Sequence, residues 1–210
     1  MKPPLPEPLP DDPLPLVQDW LGEAAAAVRN ATSMALATVD PEGRPTARMV
    51  ICRGFDAGEG WFVFYTDRES HKGHALAAHP RAALVFHWDT FERQVRVEGP
   101  VTLAPDADSD AYWNTRPPEA RIAATTSEQS RPIDSRAAFL SRLDGLTRAF
   151  EGREIPRPPR WGGYRVWAER LELWVGQPAR AHDRAVWSRE LTPVGDGFKG
   201  SPWQATRLQP

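Results

Sequence analysis

Arg180, His182 and Arg184 crowd one short stretch, RAHDR at 180–184. In an extended segment these positions project from one face, with Asp183 on the other. Two guanidinium groups beside an imidazole repel one another unless an anion or an electron-rich ring lies between them. A solvated strand face is the plainer alternative, but the apolar neighbours Val175, Val186 and Trp187 argue for a structured strand. Tyr112 and Arg116 stand four apart in a helical stretch, so one face carries both and they can grip one phosphate. A Tyr–Arg surface pair is the competing interpretation there. Ser70, His71 and Lys72 open a short helix whose unpaired N–H groups suit a phosphate. Along 92–103, Gln94, Arg96 and Glu98 alternate with Val95 and Val97, which puts polar side chains on one face of a strand.

The elements that must hold these residues can be read from periodicity. Residues 61–66 form a short aromatic and β-branched strand, Ser70 caps a helix that Pro80 ends, and two further strands follow at 81–88 and 92–103. Upstream, Leu16, Trp20, Leu21, Ala24 and Val28 recur at helical spacing. Strands at 33–39 and 44–55 flank a DPEG hairpin turn. Downstream, helices are expected at 106–115 and, capped by Asp134 or Ser135, on to about residue 150, with a short helical piece at 119–126. After a polyproline-like connector come strands at 163–167, 170–175, 183–189 and 203–208. Many short strands with inserted helices suggest a closed antiparallel barrel over an alternating βαβ sheet. Residues 1–15, with seven prolines, read as a flexible or extended arm before a single domain at 16–210.

Composition narrows the function. With 26 basic and 28 acidic residues, net charge −2, there is no bulk basic field for nucleic acid. No run approaches the roughly 18 apolar residues that a membrane helix needs. A single cysteine, Cys52, fits a reducing compartment, and its apolar strand suits a small buried hydrophobe better than a nucleophile. No secretory signal is evident, so a cytoplasmic location is expected. His71, His74, His79 and His87 lack a well-spaced carboxylate partner, so no metal site is expected. Walker A, dinucleotide-binding and G-x-S-x-G patterns are missing.

FYT at 64–66, the S-x-K at 70–72 and ERQVRVEG at 92–99 together resemble the pyridoxine (pyridoxamine) 5′-phosphate oxidase family. RP at 116–117, QS at 129–130, PRPPRWGGY at 156–164, ELW at 172–174 and RAHDR continue the likeness in order. The resemblance implies a β-rich α+β fold, an antiparallel split β-barrel that binds FMN, with about three flanking helices, built as a homodimer with FMN at the subunit interface. It implies FMN contacts from Arg48, Tyr65, Thr66, Ser70, His71, Lys72, Gln94, Gln129, Ser130, Trp174 and Arg184. Arg53, Tyr112 and Arg116 are implied to hold a substrate phosphate, and Arg180 and His182 to act at the reacting carbon. Two positions depart from the family: Ala120 stands where a serine is usual, and Arg53 where a lysine is usual. His71 likewise replaces a basic residue.

The implied activity is FMN-dependent oxidation of pyridoxamine or pyridoxine 5′-phosphate to pyridoxal 5′-phosphate, with O2 reduced to H2O2. Phosphorylated B6 vitamer and O2 would be its small-molecule partners. The departures keep two alternatives open: a phenazine-biosynthesis-type FMN oxidase acting on a reduced phenazine carboxylate, and a non-catalytic flavin-binding split-barrel protein.

Overall fold

The computed structural model describes residues 3–210. In chain order the elements are α1 (Leu14–Ala27), β1 (Ser33–Val39), β2 (Pro45–Ile51), β3 (Gly54–Asp56), β4 (Trp61–Asp67), α2 (His71–Ala78), β5 (Arg81–Trp88) and β6 (Arg93–Leu103). Three helices follow, α3 (Asp106–Thr115), α4 (Pro118–Thr126) and α5 (Arg136–Ala149). The chain returns as β7 (Trp161–Trp167), β8 (Arg170–Val175), β9 (Asp183–Ser188), β10 (Leu191–Val194), β11 (Gly197–Gly200) and β12 (Gln204–Leu208).

The eleven-residue β6 organises the barrel. Its first half lies between β5 and β8, in one leaf ordered β12-β9-β8-β6-β5-β1-β2. Its last residues pair instead with β7, which continues through β4 to β3 as a second leaf. All of these pairings are antiparallel. Gly99 sits where β6 changes partner; a Cβ there would lie 1.8 Å from the Trp167 carbonyl oxygen, so only glycine allows the two leaves to approach. This is the expected split barrel.

Alternation decides which side chains fill it. Val95 and Val97 of β6, Leu171 and Leu173 of β8, and Leu84 and Phe86 of β5 point inward and are fully buried. Phe62 and Phe64 of β4 close the core from the other leaf. A smaller cluster of Trp113, Ile122, Ile155 and Trp161 ties the helical layer to the start of β7. Truncating Trp113, whose indole donates to the Ile155 carbonyl at 2.8 Å, costs on the order of 3–5 kcal/mol.

Several boundaries differ from expectation. Among the described residues there are five α-helices, because α2 and α4 count as elements of their own. The single return strand expected at 44–55 is two: Cys52 N–H still bonds Thr32 on the β1 side, but Arg53 N–H bonds Val63 of β4. The β10–β11 hairpin, rich in Gly and Pro, was not anticipated. The Pro-rich arm, apart from Met1 and Lys2, which lie outside the described residues, packs against the barrel. Leu5 is in the core, its N–H donates to Asp183 at 2.7 Å, and the Trp187 indole donates to the Pro10 carbonyl at 2.8 Å.

Candidate active site

The first turn of α2 gathers positive charge. Ser70 caps the helix: its Oγ accepts from Gly73 N–H and donates to the Asp67 carbonyl at 2.6 Å. A Cβ on Gly73 would meet the Arg68 carbonyl oxygen at 2.0 Å, so the chain can enter the helix this tightly only with glycine. Lys72 folds back across the turn and donates to Thr66 Oγ1 (3.1 Å), Ser70 Oγ (3.3 Å) and Gln129 Oε1 (2.5 Å). Its hydrogen-bond partners are neutral, so burial, followed by the nearby Arg48 charge and only partly offset by Asp67, pushes the Lys72 pKa down to about 8. Arg48 is lowered by burial as well, and its guanidinium is spent on Leu36 O, Thr38 Oγ1 and Thr46 Oγ1. Two cations facing neutral acceptors form a place ready for an anion. His71 is exposed on the solvent side of the same turn.

Beside this turn opens a cleft of about 820 Å³ between β2, β4 and the helical layer. Its wall is an aromatic stack: Tyr65 lies 4.2 Å from Tyr112 and 5.6 Å from Trp161, with the rings within 24° of parallel. Arg53 stands over Tyr112 at 5.6 Å, and Arg116 over Trp161 at 4.8 Å and Trp113 at 5.3 Å. Arg116 is not on the helix face shared with Tyr112. It is the residue that ends α3, with extended backbone, and its Nη2 donates to the Ala120 carbonyl at 3.0 Å. Its buried Nη1 has no hydrogen-bond partner among the described residues. Burial lowers the Arg116 pKa. Arg53, Tyr65, Thr66, Lys72, Tyr112, Arg116 and Gln129 all line this cleft. Ser130, at φ 73, lies exposed next to Gln129.

Gln94, Trp174, Arg180, His182 and Arg184 are elsewhere on the same chain. Gln94 of β6 pairs with Trp174 of β8, and Trp174 with Arg184 of β9, so the three form a row on the outer face of the barrel. The His182 ring lies 4.7 Å from Trp174 and its Nδ1 accepts from Gln177 N–H at 3.2 Å. The expected single face for Arg180, His182 and Arg184 does not form. Ala179 and Arg180 take left-handed backbone (φ 55 and 59) in a tight turn, and the strand begins only at Asp183.

An adjacent row joins the two groups: Met49, Ala35, Val85, Arg96, Glu172 and Val186 lie opposite one another across six strands. Five gaps of about 4.8 Å put its ends roughly 24 Å apart along the sheet. Met49, at the cleft end, is 65% exposed.

Three participants escaped the sequence. Trp161 completes the aromatic wall; it lies in the PRPPRWGGY stretch but was given no role of its own. Asp67, nearly buried, binds Arg160 Nε at 2.8 Å and so ties β4 to β7. Glu172 carries the Arg184 pair, hidden within an otherwise apolar strand. Cys52 is buried, its thiol pushed up to about 11 mainly by burial, which suits packing and not nucleophilic chemistry.

Residues 21–147 match the family described as Pyridoxamine 5′-phosphate oxidase, and residues 161–210 match the Pyridoxine 5′-phosphate oxidase C-terminal dimerisation region. The chain is 48% identical over 208 residues to the Pyridoxine/pyridoxamine 5′-phosphate oxidase of Anaeromyxobacter dehalogenans strain 2CP-C, covering 99% of this chain and 100% of that one. It is 47% identical over 186 residues to the protein of that name from Sphingopyxis alaskensis, covering 88% and 84%. Among solved structures it is similar to PhzG from Burkholderia lata 383 in complex with tetrahydrophenazine-1-carboxylic acid, with 29% identity, a TM-score of 0.85 and coverage of 96% and 94%. Sequence, barrel topology and the extent of these matches together place the chain in the pyridoxamine 5′-phosphate oxidase family.

Proposed function

We propose that the protein is an FMN-dependent oxidase that converts pyridoxamine or pyridoxine 5′-phosphate to pyridoxal 5′-phosphate. The observation that carries this reading is the pairing of under-compensated cations with an aromatic wall. Lys72 and Arg48 face neutral acceptors, and Arg116 keeps an orphaned buried N–H beside stacked Tyr65, Tyr112 and Trp161. That donor set fits ligands that combine a flat ring with a phosphate. Relatives 47% and 48% identical to this chain bear the name of this activity.

When bound, FMN would supply the two-electron redox chemistry of the oxidation, with O2 as the final acceptor. The chain's part is to bind and orient. Lys72, Ser70 and Thr66, with Arg48 behind them and His71 beside them, hold the cofactor phosphate. Tyr65, Gln129 and Ser130 follow its chain, and Gln94, Trp174 and Arg184 meet its ring. Arg53, Tyr112 and Arg116 hold the substrate phosphate. Arg180 and His182 orient the reacting carbon. With Nδ1 accepting from Gln177 N–H, Nε2 is the ring nitrogen of His182 left to donate.

The ring-binding and phosphate-binding groups belong to separate regions of one chain, so a homodimer is proposed in which each copy completes the other's site. The outer face, apolar at Met49 and Ala35 and ion-paired at Arg96 and Glu172, is the contact surface. The match to a dimerisation region supports it.

Purified protein that is yellow and makes H2O2 from pyridoxamine 5′-phosphate in an oxygen-electrode assay is the expected result. Turnover only of a dihydrophenazine carboxylate would assign the PhzG-like reaction instead. Bound FMN without turnover of either substrate would leave a flavin-binding protein.

A further inference from the structure

Glu172 is a carboxylate between two core leucines, 3% exposed, on the outer face of β8. Its Oε1 accepts from both Nε (3.0 Å) and Nη2 (2.7 Å) of Arg184. Its Oε2 accepts from Arg96 Nη1 at 3.2 Å and stands 3.9 Å from Arg170. Arg96 has a second acid, Glu98, at 2.9 Å, so Glu172 serves chiefly Arg184. Arg184 Nη1 is tied in turn to the Gln209 carbonyl at 3.1 Å. A buried carboxylate needs such donors to be stable. Here they also fix the guanidinium by one whole edge and set a negative charge directly against it.

We propose that Glu172 is a positioning residue for the flavin: it sets the plane of Arg184 and balances its charge, so that Arg184 reaches the ring as a hydrogen-bond donor and not as a free cation. This rests on the reading that Arg184 faces FMN. A free cation beside the ring favours reduced flavin, which carries the added electrons, so the balancing acid keeps the potential low. A unit charge at partly exposed, protein-like separations is worth about a tenfold change in the preference for reduced over oxidised FMN. For a two-electron couple that is about 30 mV.

The test is the midpoint potential of bound FMN, measured by dye equilibration on the holoprotein. Glu172→Gln is expected to raise it by about 30 mV, and the rise is expected to vanish in an Arg184→Ala background. An unchanged potential in a folded, FMN-loaded Glu172→Gln protein overturns the proposal, as does a rise that persists without Arg184. If Glu172→Gln does not fold, Glu172→Asp carries the test. It keeps the charge but shortens the reach, so several-fold weaker FMN retention at an unchanged potential is expected, and unchanged retention overturns the positioning role. Wild-type protein that fails to bind FMN at all refutes the proposed function and this inference with it. Wild-type protein that binds FMN beside an insensitive Glu172 variant refutes the inference alone.

Discussion

Arg160, one residue before β7, donates from Nε to Asp67 at the end of β4 at 2.8 Å, while its Nη2 donates to the carbonyls of Thr125 and Ser127 at 3.0 Å each. One guanidinium thus locks two barrel strands to the C-terminal end of α4, the helix whose Ala120, Ala123 and Ala124 form a cleft wall. Asp67 is almost completely buried, so removing its partner strands a charge. Arg160→Ala is expected to lower stability by about 3 kcal/mol in urea denaturation. FMN affinity should fall with it, because Asp67 lies just before the Ser70–Lys72 turn.

Lys72 gives a pH signature. Its pKa in the ligand-free protein is about 8, below the ordinary 10.5, because burial and Arg48 disfavour its charged form. A lowered cation penalises the ligand-free fold below pH 8, and the penalty is relieved as pH rises from 8 towards 10.5. A bound phosphate reverses the bias and raises the pKa, so binding is strongest below pH 8 and weakens above it. FMN affinity measured by fluorescence quenching is expected to drop about tenfold between pH 7 and pH 9. Lys72→Ala should weaken binding at pH 7 and flatten this profile.

Arg116 separates substrate from cofactor. Its Nη1 is buried with no hydrogen-bond partner among the described residues, and its Cζ lies 4.8 Å from the Trp161 ring centroid. Arg116→Ala is expected to raise KM for pyridoxine 5′-phosphate about fiftyfold, the loss of a charge-assisted bond, with FMN retention unchanged. Arg116→Lys should recover little, because an ammonium offers neither the planar stack nor the fork.

Gly73 tests the backbone of the same turn. A methyl group there would collide with the Arg68 carbonyl, and backbone cannot step aside cheaply. Gly73→Ala is expected to cost about 2 kcal/mol and to weaken FMN binding although no ligand-facing side chain changes.

The barrel and the Lys72 turn were legible because their signals are local: alternation in β6, the Ser70 cap and the aromatic run of β4. The Arg116 corner was half legible: the helix ends at Thr115 as expected, but Arg116 was still read on its face beside Tyr112, and its extended backbone takes it off that face. RAHDR misled, because its parity presumes an extended chain and the left-handed backbone at Ala179 and Arg180 breaks it. Arg48 and Arg53, five apart, would face opposite sides of one unbroken strand, but the chain changes partner between Cys52 and Arg53. Glu172 was invisible because its importance comes from cross-strand neighbours far away in sequence.

The separation of Lys72 from Arg184 on one chain leads to the most direct measurement. Lys72→Ala and Arg184→Ala variants, each nearly inactive alone, should be unfolded, mixed in equal amounts and refolded together. Half of the dimers then pair one variant with the other, and in each of these one site of two receives both intact residues. Oxidation of pyridoxamine 5′-phosphate is expected to return to about a quarter of the wild-type rate. A mixture no more active than either variant alone would contradict a site shared between two copies.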